Sequence, residues 1–469
     1  MKRIAYFFIF VLIFLYASAI HAEIKLPAIF GDHMVLQQQT QAAVWGSASE
    51  NKTVKVTTSW DRKSYTTRSD NQGNWKLFVN TPIAGGPYSI TISDGKSLTL
   101  ENVLIGEVWV CSGQSNMQMT MSGYRNQPVL GANQAIASSR DEKIRLFTVE
   151  RTKSLERLND FSGEWLECIP EHVADFSAAA YFFGEMIREA LDVPVGLICS
   201  SWGGTLIQPW ISESGLEPFP WVKLPEKNST QEFSQQVPTV LFNAMIAPMA
   251  GYAIRGGLWY QGESNRNEPE QYEKMMAGLA KNWRAEWNIG DFPFYYVQIA
   301  PYYYGSGNSA FLREAQLKAS TAIPNFGMAC AMDAGEENCI HPANKKVIGE
   351  RLAYLALANT YGQRGIEYSG PVLRDMKVEG SVVKLTFDHA KNGLTTFGNE
   401  LKNFYVAGEN KKFIQATAYI TNQGITLFSP AVEKPVAVRY AFKDFVVGEL
   451  YNNEGLPASS FRTDDWDVE

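Results

Sequence analysis

An apolar, strand-prone run, Val108-Trp109-Val110-Cys111, stops abruptly at Ser112-Gly113-Gln114-Ser115-Asn116, and the same arrangement recurs along the chain. Val195–Cys199 gives way to Ser200-Ser201-Trp202-Gly203-Gly204-Thr205, and Gly257–Tyr260 to Gln261-Gly262-Glu263-Ser264-Asn265. A further run lies at Phe294–Ile299, and Gly327–Met332 leads into Asp333-Ala334-Gly335-Glu336-Glu337. Short apolar runs without alternation suit strands buried on both faces. Helical stripes accompany them: Tyr272, Met276, Leu279, Trp283 and Trp287 recur at three- and four-residue steps, as do Ile348, Leu352, Leu355 and Asn359. Strands alternating with helices predict a mostly parallel sheet covered on both faces over residues 102–361. In such a sheet ligands bind beyond the carboxyl ends of the strands, so the polar segments that follow the runs are expected to converge there.

The flanking regions read differently. Residues 23–101 carry only strand-like pieces, Ala43–Trp45, Val54–Thr57, Trp75–Val79 and Tyr88–Ile92, separated by turn signals such as Asn71-Gln72-Gly73-Asn74; a small antiparallel β domain is expected. Strands return over residues 362–469, at Val382–Phe387, Phe404–Ala407, Gln415–Ile420, Gly424–Phe428 and Val436–Phe442, which predicts a second, sandwich-like β domain. Asn452–Pro457 is either a loop toward the cleft or a turn. Residues 1–22 combine Met1-Lys2-Arg3, an apolar run and small residues ending at Ala22, the pattern of a secretory signal, so a periplasmic or secreted product is expected. No later run is long and apolar enough to span a bilayer. The formal net charge of −7 disfavours nucleic acid and anionic membranes. Five cysteines allow Cys330 to pair with Cys339 and Cys168 with Cys199, while Cys111 reads as a buried free thiol. No Cys-x-x-Cys or His-x-x-x-His spacing supports a metal site, and no Gly-x-Gly-x-x-Gly or Gly-Lys-Ser signature supports a nucleotide cofactor.

Ser115, delivered to a tight turn at the end of a buried strand, is a candidate nucleophile. A base must accompany it, and the histidines outside the leader are His33, His172, His341 and His389. His33 and His389 fall in the flanking β regions and His172 precedes a helix; His341 follows the polar loop of the fifth apolar run, on the side of the sheet expected for Ser115. An acid that orients the imidazole is open among Glu263, Asp333, Glu336 and Glu337. Oxyanion donors are open among the Ser115 N–H, an N–H at Gly203 or Gly204, and the amides of Gln261 and Asn265.

Gly113-Gln114-Ser115-Asn116-Met117, Trp202-Gly203-Gly204-Thr205, Trp259-Tyr260-Gln261-Gly262-Glu263-Ser264 and Ile340-His341-Pro342 resemble, in this order, the bacterial sialate O-acetylesterase family of SGNH-type hydrolases. The resemblance extends to Leu26–Gln37. It implies an SGNH-hydrolase-like α/β domain of three layers between β-sandwich-like domains. It also implies Ser115 as nucleophile, His341 as base, and Gly204 with Gln261 beside the Ser115 N–H in the oxyanion hole. Relatives often carry Asp two or three residues before the histidine, where this chain has Cys339 and Asn338; related carbohydrate esterases imply Glu263 as the orienting acid instead, with Asp333 second and a Ser–His dyad third.

The expected activity is removal of O-acetyl groups from a glycan through an acetyl-enzyme, with O-acetylated sialic acid the first substrate and acetylated xylan or another plant polysaccharide the alternative. No cofactor is expected. A glycoside hydrolase working through Glu263 and Asp333, and a non-catalytic glycan-binding protein, are the readings from other classes. Aromatics of Pro301-Tyr302-Tyr303-Tyr304-Gly305 are candidates for stacking on a sugar, and Arg125, Arg255 and Arg313 for holding a sialate carboxylate.

Overall fold

Successive buried side chains of the strand that leads to Ser115 enter two different cores. Val108 and Val110 enter one core, while Trp109 and Cys111 enter another on the opposite face. That is the two-residue period of a strand covered on both sides, and it sets the layers of the central domain. The structure, a computed structural model, describes residues 24–227 and 232–466; the expected leader at residues 1–22 lies outside them.

The central sheet contains β1 (Ser97–Gly113), β2 (Asp141–Thr148), β3 (Trp165–Cys168), β4 (Val195–Ser201), β5 (Gly256–Tyr260), β6 (Phe294–Val297) and β7 (Phe326–Ala329). Their spatial order is β7-β6-β5-β1-β4-β2-β3. Every neighbouring pair is parallel except β2 with β3. Strands that follow β1 in the chain lie first on one side of it and then on the other, so the strand order reverses at β1. The crevice favoured for ligands therefore opens at the carboxyl end of β1, where Ser115 stands. The sequence reading lacked β2 and β3. β2 begins with three charged residues and buries Arg145, at 2% exposure, among its apolar positions, which hides the strand pattern.

Ser115 opens α1 (Ser115–Gln118). One core holds Trp109, Cys111, Leu197, Leu258 and Tyr260 under α2 (Ala178–Leu191) and α5 (Lys345–Leu355). The other holds Val108, Val110, Ile198, Trp259 and Tyr296 under α3 (Pro269–Trp287) and α4 (Ala310–Ala319). The expected Tyr272–Trp287 stripe is the buried face of α3. Asn359 leaves its stripe: beyond Leu355 the helix widens over Ala356–Thr360, and Asn359 is exposed.

No break occurs at the boundary expected after residue 101. β1 pairs antiparallel with Gly85–Ser93 and parallel with Val35–Gln37 in its first half, then parallel with β4 and β5 in its second. The N-terminal strands thus share both a sheet and a core with the central domain. The C-terminal region has its own core between two four-stranded sheets, with Val383, Leu385, Ile425 and Leu427 facing Phe404, Val406, Val438 and Tyr440. Asn452 turns back on that region, its amide donating to Ser369 O and His389 O, so the Asn452–Pro457 segment is a turn. All five cysteines are free, which overturns both expected disulfides. Cys330 instead contacts Gln298 Oε1, and Cys339 donates to His341 O.

Candidate active site

Gly113 makes the turn into Ser115 possible. Its φ is +140°, and a Cβ there would lie 2.2 Å from Tyr260 O, so β5 could not approach β1 so closely with any side chain present. The next residue, Gln114, receives both Gly262 N–H and Ser264 N–H on its Oε1 at 3.4 Å, binding the 261–265 segment to the serine turn. Ser115 itself is half-buried, at the first position of α1, and its N–H has no partner among the described residues. First-turn N–H groups are the ones a helix leaves unpaired.

The glycine pair lies alongside. A Cβ built on Gly203 would sit 3.3 Å from Ser115 Cβ. Gly203 N–H is taken by Gln118 Oε1 at 2.6 Å, whereas Gly204 N–H has no partner among the described residues and Gly204 is exposed. The two glycines, indistinguishable in sequence, are therefore unlike: one is structural, the other is open. Gln261 is closed. Its amide hydrogens go to Thr205 O at 3.0 Å and Asn265 Oδ1 at 2.8 Å, and Tyr272 donates to its Oε1. The Asn265 amide likewise donates to Gln208 Oε1 and Glu268 Oε2. Both amides weld the turn together rather than facing outward.

His341 is half-buried, and its Nδ1 lies 2.5 Å from Gln127 Oε1. Tyr124 meets the imidazole edge-on at 5.1 Å between centroids and donates through its hydroxyl to Ser115 O at 3.0 Å. Neither residue was found from sequence. They come together because Tyr124 and Gln127 exchange backbone hydrogen bonds around a tight turn, which puts both side chains on one face. Gly123, at φ +77°, feeds that turn. Asn126 in the left-handed region was the one local signal, and it predicts the turn but not its target. Ser115 Oγ and His341 share no direct hydrogen bond among the described residues; they are joined through Tyr124 and through Asn116, whose amide donates to Ile340 O at 3.1 Å. Burial, and after it the charge of Lys345, pulls the imidazole down to about 4.

Glu263 does not touch the histidine among the described contacts. Its Oε1 accepts from Asn116 Nδ2 at 2.5 Å, and its Oε2 is buried without a partner. Lys345, wholly buried at the start of α5, donates to Asn116 Oδ1 at 2.6 Å. Asn116 is thus clamped between an acid and a base, and burial drives both toward their neutral forms: Glu263 up, Lys345 down to about 7.

The remaining candidates are occupied elsewhere. Asp333 forms a two-pronged ion pair with Arg351 at 2.6 and 2.7 Å. Glu336 accepts from Ala343 N, and Glu337 lends only its carbonyl, to Tyr303 N. His33, His172 and His389 contact Asn102, Glu167 O and Glu367. Arg255 is bound to Glu107 at the opposite end of the sheet, and Arg313 is buried against Ser309, Ser460 and Asp444 O; Arg125 alone of the three is exposed, at the tip of the 124–127 turn. Among the described residues no cluster of His, Cys, Asp and Glu could hold a metal ion, and no helix is long and apolar enough to cross a membrane.

Residues 105–358 match the model of a family described as carbohydrate esterase, sialic acid-specific acetylesterase. A sialate O-acetylesterase of Pongo abelii is 30% identical over 488 residues, which cover 93% of this chain and 92% of that protein. One of Rattus norvegicus is 28% identical over 431 residues, covering 78% and 79%. The crystal structure of a carbohydrate acetylesterase from Xanthomonas citri superimposes with a TM-score of 0.87 at 34% identity, covering 95% of this chain and all of that one. The chain therefore belongs to the sialic acid-specific acetylesterase family of carbohydrate esterases and is a carboxylic ester hydrolase.

Proposed function

We propose that the protein is an exported serine esterase that removes O-acetyl groups from sialic acid through an acetyl-enzyme on Ser115. The observation that carries this reading is the pair of unpartnered N–H groups, one on half-buried Ser115 and one on Gly204, whose neighbour Gly203 lies against the Ser115 side chain. Ser115 Oγ attacks the acetyl carbonyl while His341 Nε2 takes its proton, and the tetrahedral oxyanion is received by the two N–H groups. Collapse expels the sugar alkoxide, which takes the proton back from His341; a water then repeats the sequence on the acetyl-enzyme. Gln261 has no amide hydrogen left for the oxyanion, so two backbone donors form the hole.

His341 works here without a carboxylate on its ring. Gln127 Oε1, accepting from Nδ1–H, fixes the tautomer that leaves Nε2 free as base. Glu263 acts at one remove, holding Asn116, which braces the serine turn against Ile340 and thereby the histidine. The signal-like residues 1–22 support export.

Acetate release from a chromogenic acetyl ester and from O-acetylated sialic acid tests the reading. Ser115→Ala is expected to abolish both and His341→Ala to lower kcat by about 10²–10⁴. Full turnover by Ser115→Ala would overturn it. Release from acetylated xylan but not from the sialate would retain the chemistry and change the substrate.

A further inference from the structure

Arg266 stands immediately after the Glu263–Asn265 turn that is bound to Gln114, beside Ser115. Its guanidinium lies 4.5 Å from the centre of the Tyr304 ring. Its terminal nitrogens have neither ion pair nor hydrogen bond among the described residues, and they are not sealed from solvent as its Nε is. Tyr304 is fixed in turn: its N–H donates to Asp444 Oδ2 at 2.7 Å, Tyr302 packs against it edge-on at 4.8 Å, and Tyr303 N–H donates to Glu337 O on the loop that carries His341. Gly335 of that loop approaches Pro301 so closely that an added Cβ would lie 2.3 Å from Pro301 O. The Arg266–Tyr304 stack therefore joins the turn bound to Gln114 to the 301–304 segment that packs against the loop of His341.

A guanidinium fixed on an aromatic face, with its planar fork open, suits bidentate binding of a carboxylate. Burial, and then the Glu263 carboxylate, raises the Tyr304 phenol, which keeps a neutral hydroxyl beside the cation. Of the three arginines singled out in the sequence, Arg255 and Arg313 are already satisfied, and Arg125 is exposed at the tip of the 124–127 turn.

We infer that Arg266, seated on Tyr304, is the specificity-determining residue that binds the carboxylate of an acidic acetylated sugar while its acetyl ester is presented to Ser115. This rests on the esterase reading above. The carboxylate could belong to a sialic acid or to a uronic acid, and the substrates tested must separate the two.

The experiment compares the whole protein with Arg266→Gln, Arg266→Lys and Arg125→Gln on four esters: O-acetylated N-acetylneuraminic acid, its C1 methyl ester, an O-acetylated galacturonide, and a chromogenic acetyl ester. The free acid is expected to exceed its methyl ester in kcat/KM by roughly tenfold or more in the parent, since a hydrogen bond to a charged group is worth about that factor. Arg266→Gln should bring the ratio near one, and Arg266→Lys should restore part of it. Preference for the sialate or for the galacturonide names the source of the carboxylate. A parent ratio near one, a ratio unchanged in Arg266→Gln, or a ratio lost in Arg125→Gln instead would overturn the inference. Should Arg266→Gln not fold, Arg266→Lys decides: a ratio lowered from the parent's supports the inference, and an unchanged ratio overturns it. Loss of all turnover on the chromogenic ester by the parent would instead strike the esterase reading itself.

Discussion

The two ends of the central sheet each hold a buried glutamate, and the two are treated in opposite ways. At the amino end of the parallel stretch, Glu107 is fully buried and saturated: Arg255 reaches both its oxygens at 2.6 and 3.1 Å, Gln37 and Gln38 donate to Oε1, and Tyr361 donates to Oε2 at 2.8 Å. At the carboxyl end, Glu263 has one hydrogen bond from Asn116 and a second oxygen with no partner. Nearby polar groups share that condition; the hydroxyls of Tyr260 and Ser112 are also buried and unpaired. Saturating a buried carboxylate makes it a structural rivet, whereas leaving one incompletely paired keeps the site able to redistribute charge during a reaction.

Breaking the rivet should give the largest effect on stability. Glu107→Gln leaves Arg255 with a poorer partner and is expected to cost about 3 kcal/mol in denaturant unfolding. Acetate release per folded molecule should remain near the parent's. Glu263→Gln should do the reverse, with a small change in unfolding midpoint and reduced kcat. A large stability loss from Glu263→Gln with unchanged kcat would erase the contrast between the two ends.

That contrast was only half legible in the sequence. The strand runs and the polar segments after them could be read because burial on both faces leaves a continuous apolar signature, which put Ser115 and His341 beyond strand ends but could not tell Gly204 from Gly203. β2 escaped because its buried positions include Arg145, and the continuity of β1 across residue 101 escaped because the strand runs on through an irregularity at Glu101 and Asn102, where its pairing with Gly85–Ser93 skips from Leu100 to Val103. Inside the site, residue type was visible and direction was not. Glu263 and Gln261 both lie in the crevice segment, yet Glu263 turns to Asn116 and Gln261 to Thr205 and Asn265. Gln127 was invisible because its role depends on a turn that brings it across to a histidine 214 residues away.

Gln127 offers the next largest effect. Gln127→Leu removes the acceptor at Nδ1 without removing the base, so kcat should fall roughly tenfold to a hundredfold, equivalent to about 1.4–2.7 kcal/mol of barrier, with KM little changed. Gln127→Glu supplies the carboxylate that other serine hydrolases place there and should raise the imidazole's proton affinity, moving the acid limb of kcat/KM upward. Equal kcat in all three proteins would remove Gln127 from the histidine's support.

The smallest effect concerns protons. The base must be neutral to accept from Ser115, and His341 is held at about 4 against the ordinary 6.5, first by burial and then by Lys345. A lowered pKa keeps the neutral form to lower pH, so the acid limb of kcat/KM should fall near pH 4 rather than above 6. The same shift sets a stability slope: between 4 and 6.5 the unfolded chain binds the proton and the folded one does not, so this histidine's contribution to stability is lost as pH falls through that window. Lys345→Met removes the lesser of the two causes and leaves the burial. Its acid limb should therefore move up by less than the full interval to 6.5, while the Glu107 end of the sheet, which has no part in this titration, leaves the limb where it was in Glu107→Gln. An unmoved limb in Lys345→Met would mean that the lysine braces Asn116 without reaching the histidine electrostatically, and that the two ends of the sheet differ in hydrogen bonding alone.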